Sequence, residues 1–146
     1  MAEQNSDAPP PAADTRPRRA VVVGAGTVGL HRALSLDDVG LEVTAYDVDR
    51  SVVDDCRHGT DPTGAVGDGR IAESDCAFTA DPSCIAAADV VFVAVPTRYD
   101  PDTEQPLPTV RDAAETVGNR LTPGTIVVLE STVPPGGVTD VFTPAL

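Results

Sequence analysis

Three glycines spaced G-x-G-x-x-G, Gly24, Gly26 and Gly29, come directly after the run Ala20-Val21-Val22-Val23. That order reads as a buried strand, a tight turn and a helix start, the phosphate-binding corner of a dinucleotide fold. Gly24 allows the turn, Gly26 lets backbone approach a pyrophosphate, and Gly29 lets the helix pack closely on the strand. Thr27 and Val28 lie in the same loop, where a helix N-terminus offers unpaired N–H groups and roughly half a positive charge to phosphates. Glycines also serve ordinary turns, so the reading depends on the strands and turns further along the chain.

Eighteen positions beyond Gly29, the run Glu42-Val43-Thr44-Ala45-Tyr46 ends in Asp47. A carboxylate at the end of a second strand accepts hydrogen bonds from the adenosine ribose diol and repels a 2′-phosphate, so Asp47 favours NAD over NADP. The competing reading is a solvated acid in a chain with seventeen Asp. Spacing favours the ribose contact. Asp49 is the weaker candidate and suits a cap on a helix from Arg50 to about Arg57. Two further turns carry hydroxyls: Pro96-Thr97, and Glu130-Ser131-Thr132-Val133-Pro134-Pro135-Gly136.

The elements that must position these residues alternate. A helix from Thr27 to Val39 carries Val28, Ala33, Leu34 and Leu36 and stops at Gly40. Gly59 to Asp75 is glycine-rich and polar, and is expected to be a loop or broken excursion rather than packed structure. Cys76 to Thr79 forms a short third strand, with Asp81 and Pro82 opening a helix to Ala88. Asp89 to Val95 is apolar nearly throughout, as a parallel strand covered on both faces requires. A polar loop, Arg98 to Pro108, leads to a helix from Thr109 to Leu121, then a strand Thr125 to Leu129 and one more helix start. This pattern predicts an α/β fold, a doubly wound parallel sheet of about five strands ordered 3-2-1-4-5. Its ligand lies across the carboxyl ends of strands one and four, the edge that collects the glycine loop, Asp47, Thr97 and Thr132.

Composition bounds the rest. The 146 residues suit one domain, 19–146, preceded by an Ala/Pro-rich acidic tail, 1–18, expected to be disordered. Arg16, Arg18 and Arg19 read as its solvated flank. A net charge of -13, with ten Arg and no Lys, argues against nucleic acid or an anionic membrane as a partner. Such a surface suits concentrated salt, where self-repulsion is screened, or an ordinary acidic protein from GC-rich DNA. Cys56, Cys76 and Cys84 match no zinc or redox spacing and read as free thiols in a reducing cytoplasm. His31 and His58 lack metal-ligand spacing, so no metal is expected. No apolar run approaches the length of a membrane span.

Pro96-Thr97 and the segment Glu130 to Gly136 resemble the N-terminal domain of the UDP-glucose/GDP-mannose dehydrogenase family. The run Gly59 to Val66, with Phe78-Thr79, is most similar to the branch acting on UDP-N-acetylhexosamines for surface polysaccharides. The resemblance implies a Rossmann-type domain binding NAD, with a UDP-sugar C6 alcohol oxidised to the uronate in two hydride transfers. It places Gly24, Gly26, Thr27, Val28, Gly29, Asp47, Thr97, Ser131, Thr132 and Val133 at the cofactor. The family's nucleophilic cysteine and active-site lysine lie in later segments, so no catalytic residue is expected here beyond Thr132 as an auxiliary. The sheet is expected to stop before its sixth strand, leaving strand five as an edge. The UDP-sugar is then a partner only together with a C-terminal half or a separate catalytic subunit; the other reading is a non-catalytic NAD-binding remnant or sensor. Thr27 stands where the family usually has Tyr, His31-Arg32 where it has Pro-Leu, Arg98 where it has Pro, and Gly137 where it has Thr or a small residue.

Overall fold

Strand β1 (Arg19–Val23) shows in a few residues how the domain is built. Its pleat sends Val21 and Val23 to one face and Ala20 and Val22 to the other, and all four are buried. In the computed structural model, which describes residues 15–98 and 107–146, β1 is therefore the centre of a sheet covered on both sides. The sheet is wholly parallel and ordered β3-β2-β1-β4-β5, with β2 (Glu42–Tyr46), β3 (Ala77–Thr79), β4 (Val90–Val93) and β5 (Ile126–Leu129). Val21 sits opposite Thr44 on one side and Val91 on the other, and Val91 opposite Val127. The expected strand order is the observed one.

Helix α1 (Thr27–Asp38), α2 (Arg50–Arg57) and α3 (Asp68–Glu73) cover one face through Leu30, Leu34, Val53 and Ile71. A 3-10 turn (Pro82–Ala87), α4 (Pro108–Gly118) and a C-terminal π-helical turn (Gly137–Phe142) cover the other through Ile85, Val110, Val117 and Phe142. The last turn runs on into α5 (Thr143–Ala145). Burying one such aliphatic side chain contributes about 1.5–3 kcal/mol, so two filled faces hold the sheet that carries the loops.

Local chemistry sets the boundaries. Asp49 caps α2 by accepting the Ser51 N–H at 2.9 Å, and Asp81 caps the 3-10 turn by accepting the Ser83 N–H at 2.9 Å. The helix expected from Asp81 to Ala88 is this tighter turn. Strand β1 is fixed at its start by Asp89, whose Oδ2 accepts the N–H groups of Arg18 and Arg19 at 2.8 and 2.9 Å. Arg18 also accepts the Glu42 N–H through its carbonyl, at 2.9 Å. Of the expected tail, residues 1–14 lie outside the described residues, as do residues 99–106 of the polar loop.

One expectation is corrected. The 59–75 stretch is packed: α3 crosses it, and Ile71 is 3% exposed in the core under α1 and α2. Asp61 makes this possible. Its carboxylate accepts the N–H groups of Thr63, Val66 and Gly67, each at 2.8 Å, which turns a glycine-rich segment into a fixed approach to the helix.

Candidate functional site

The turn after β1 requires its glycines. Gly24 has φ +101°, and a Cβ there would lie 2.6 Å from the Ala94 carbonyl oxygen at the end of β4. A Cβ on Gly29 would stand 1.7 Å from the Gly24 carbonyl oxygen, so the first turn of α1 rests on the loop itself. Gly26 is different. No atom of the described residues lies within 4 Å of the position its Cβ would take, so the backbone there borders open space among them. Gly26 is also the N-cap of α1, with no side chain capping the helix and no acid in its first turn. Among the described residues the N–H groups of this turn therefore have no side-chain acceptor, and they suit an anion.

Asp47 stands immediately beyond β2 and is hydrogen-bonded into the same corner. Its Oδ2 accepts the Ala25 N–H at 2.7 Å and its Oδ1 the Asp49 N–H at 2.9 Å, while its own N–H donates to the Thr79 carbonyl at 3.1 Å. A carboxylate offers about four acceptor positions, so two remain for a diol. Asp49 is engaged elsewhere, accepting both the hydroxyl and the N–H of Ser51, which hold its carboxyl below the ordinary range.

Clefts border the loop on either side of Gly26, two of them lined by expected residues from other turns. One, of about 190 Å³, opens between Asp47, Val48, Val95, Pro96 and the near face of α4. The other, of about 260 Å³, is bounded by Gly26, Thr27, Val28, Thr97, Ser131 and Thr132. Eight of the ten expected residues thus line these clefts on the carboxyl edge of the sheet, and Gly29 lies behind the loop, against the Gly24 carbonyl. Val133 does not line either cleft; it is half-buried against the core that contains Leu107 and Val141. Ser131 borders the second cleft but donates its hydroxyl to the Val95 carbonyl at 2.7 Å, joining the turn after β5 to the end of β4. Thr132 is exposed at the rim.

An ion pair escaped the sequence reading. Arg32 of α1 donates Nε to Oε1 of Glu130 at 2.7 Å and brings Nη2 onto the same oxygen. The guanidinium also lies over the Phe92 ring, 5.3 Å from its centroid. Glu130 Oε2 is buried and has no partner among the described residues. The signal was in the sequence: Arg32 is one of the positions that depart from the usual family pattern, and Glu130 begins its most specific segment.

Elsewhere the chemistry is quiet. Burial pushes the Cys56 and Cys76 thiols up to about 11, which leaves little thiolate at neutral pH. Among the described residues there is no group of three His, Cys, Asp or Glu side chains fit to hold a metal ion. No helix among them is long and apolar enough to cross a membrane.

Residues 18–146 match the family described as the UDP-glucose/GDP-mannose dehydrogenase family, NAD binding domain. The chain belongs to that family. Protein CapL of Staphylococcus aureus is 33% identical over 129 residues, covering 88% of this chain and 30% of its own. The UDP-N-acetyl-D-glucosamine 6-dehydrogenase of Pseudomonas aeruginosa is 32% identical, with 88% and 30% covered, in keeping with the branch expected from the 59–66 run. Among solved structures, a UDP-glucose dehydrogenase from Pyrobaculum islandicum superposes with a TM-score of 0.75 at 28% identity, over 91% of this chain and 33% of that one. The chain spans about a third or less of these relatives. As this family's NAD-binding domain it carries an open cradle at Gly26, an uncapped helix start and a carboxylate with acceptor capacity to spare, and these features fit a dinucleotide.

Proposed function

We propose that this chain binds NAD as the cofactor half of a nucleotide-sugar 6-dehydrogenase. The hydrogen bond between Ala25 and Asp47 carries the reading, because it joins the phosphate loop and the ribose acceptor into one rigid corner. In this assignment Gly24, Gly26 and Gly29 shape the loop, and the N–H groups of Thr27 and Val28 face the pyrophosphate. Asp47 accepts the adenosine ribose hydroxyls. Thr97 and Thr132, on the far side of the loop, border the nicotinamide half, and Ser131 keeps their two turns together. Bound NAD supplies a hydride acceptor; these residues orient it.

The relatives' names, UDP-glucose and UDP-N-acetyl-D-glucosamine 6-dehydrogenases, support a UDP-sugar as the substrate; its C6 alcohol taken to the uronate for surface polysaccharide is what the family resemblance adds. The nucleophilic cysteine and the lysine that the family resemblance implies have no counterpart in these 146 residues, which contain no lysine. Sugar oxidation therefore needs segments beyond them, from the same polypeptide or from a separate subunit. A non-catalytic NAD-binding module is the alternative. Calorimetry of the chain with NAD, alongside absorbance of NADH after adding a UDP-sugar, tests the assignment. Saturable binding without NADH formation supports it, and absence of binding in concentrated salt contradicts it.

A further inference from the structure

Arg32 and Glu130 stand between two clefts. Beside the second cleft lies a third, of about 310 Å³, lined by Thr27, Val28, His31, Arg32, Ser35 and Glu130. Thr27, Val28 and Glu130 line both, so the boundary runs from the first turn of α1 across to the turn after β5. Arg32 closes that boundary, reaching Glu130 Oε1 with Nε at 2.7 Å and with Nη2 alongside, its guanidinium over the Phe92 ring of β4. On the β4 side the same turn is fixed by its backbone. The N–H groups of Glu130 and Ser131 donate to the Val93 carbonyl at 2.8 and 3.3 Å, and the Ser131 hydroxyl donates to the Val95 carbonyl at 2.7 Å. Thr132 comes next, is exposed and makes no hydrogen bond among the described residues, so its place is set by its neighbours.

We propose that Arg32 is a positioning residue for the nicotinamide half of the cofactor, holding Glu130 so that the second cleft keeps its width and Thr132 its place at the rim. The inference rests on NAD being the ligand of the glycine loop and on its nicotinamide half lying in that cleft. Arg32 acts through Glu130 and lines the third cleft, not the second. With the ion pair removed, the second cleft opens toward the third and the turn after β5 is anchored on the β4 side alone. Binding must then order that turn as well as the ligand, which costs roughly threefold to tenfold in affinity. The adenosine half is spared, because Asp47 is fixed separately by the N–H groups of Ala25 and Asp49.

The test compares NAD with ADP, which carries the adenosine and both phosphates but no nicotinamide riboside, by calorimetry on the whole chain at one fixed salt concentration. In Arg32→Ala with Glu130→Gln, which removes both charges, NAD affinity should fall roughly threefold to tenfold while ADP affinity stays within about twofold. Arg32→Lys keeps a cation opposite Glu130 and should stay within about twofold of the native chain for both ligands. Urea unfolding checks that each variant is folded. A purely structural role, or a general effect of charge, would move NAD and ADP by the same factor. That result, or a double variant that binds NAD as the native chain does, would leave NAD binding standing and remove the role of Arg32. Arg32→Lys losing as much NAD affinity as the double variant would also overturn it, since the ion pair would not be what holds the turn. If the native chain binds neither ligand, the NAD assignment fails and this inference fails with it.

Discussion

Arg32 and Glu130 are ninety-eight positions apart, yet the guanidinium of the first places two nitrogens on one carboxylate oxygen of the second. The pair joins the dinucleotide helix α1 to the turn after β5, and so ties the two elements that flank the second cleft. Its side chains are 41% and 14% exposed, between the surface and the interior. Replacing Arg32 leaves the less exposed charge without its partner.

The expected loss for Arg32→Leu is about 1–3 kcal/mol, between values for exposed pairs and for buried pairs broken on one side. Urea unfolding of Arg32→Leu and of Arg32→Leu with Glu130→Gln checks it. The double variant should recover most of the loss, because it removes the uncompensated charge. A single variant as stable as the native chain would show that Glu130 does not depend on Arg32.

Gly29→Ala places a methyl group 1.7 Å from the Gly24 carbonyl oxygen, a contact that the backbone must move to relieve. It should destabilise the domain by roughly 1–3 kcal/mol or more and weaken NAD binding, since the loop itself has to shift. Gly26→Ala separates the two effects. No atom of the described residues lies within 4 Å of the added group, so stability measured by urea should change little. Affinity for NAD should fall sharply, because the methyl enters the cradle.

Acid should unfold the domain through Asp61 and Asp89. Burial tends to raise Asp61, but hydrogen bonds from Thr63, Gly67 and Val66 outweigh it and hold the carboxyl far below the ordinary range. Asp89 is lowered by the N–H groups of Arg19 and then Arg18. Both folded-state values lie below the unfolded one, so their stabilisation is present above an unfolded pKa of about 3.9 and is lost as pH falls through the folded values. Urea unfolding in concentrated salt, which screens the general acidic repulsion, should show stability falling below about pH 4. Asp61→Asn should reduce that slope; an unchanged slope would remove Asp61 from the account.

Much of this was legible because it is periodic or local. The apolar runs of β1 and β4 can be buried only in a sheet covered on both faces, and the G-x-G-x-x-G spacing fixes the turn between β1 and α1. Helix α3 was not legible, since six polar and glycine-rich residues bury one isoleucine and owe their place to Asp61, several positions earlier. Val133 was expected beside the cofactor with Ser131 and Thr132; it packs partly against the core with Leu107 and Val141, a direction that depends on how the turn packs and that spacing does not encode. The departure at Arg32 and the motif beginning at Glu130 marked both residues in the sequence, but their pairing joins elements ninety-eight positions apart, which spacing does not encode.

The most direct test of the account is the effect of Asp47 on the choice between NAD and NADP. Calorimetry should show the native chain binding NAD and strongly disfavouring NADP. Asp47→Ala should lose roughly tenfold to a hundredfold of its NAD affinity, the equivalent of a charge-assisted hydrogen bond, and lose most of that discrimination. Native affinity for NADP equal to that for NAD, or no loss on Asp47→Ala, would contradict the account.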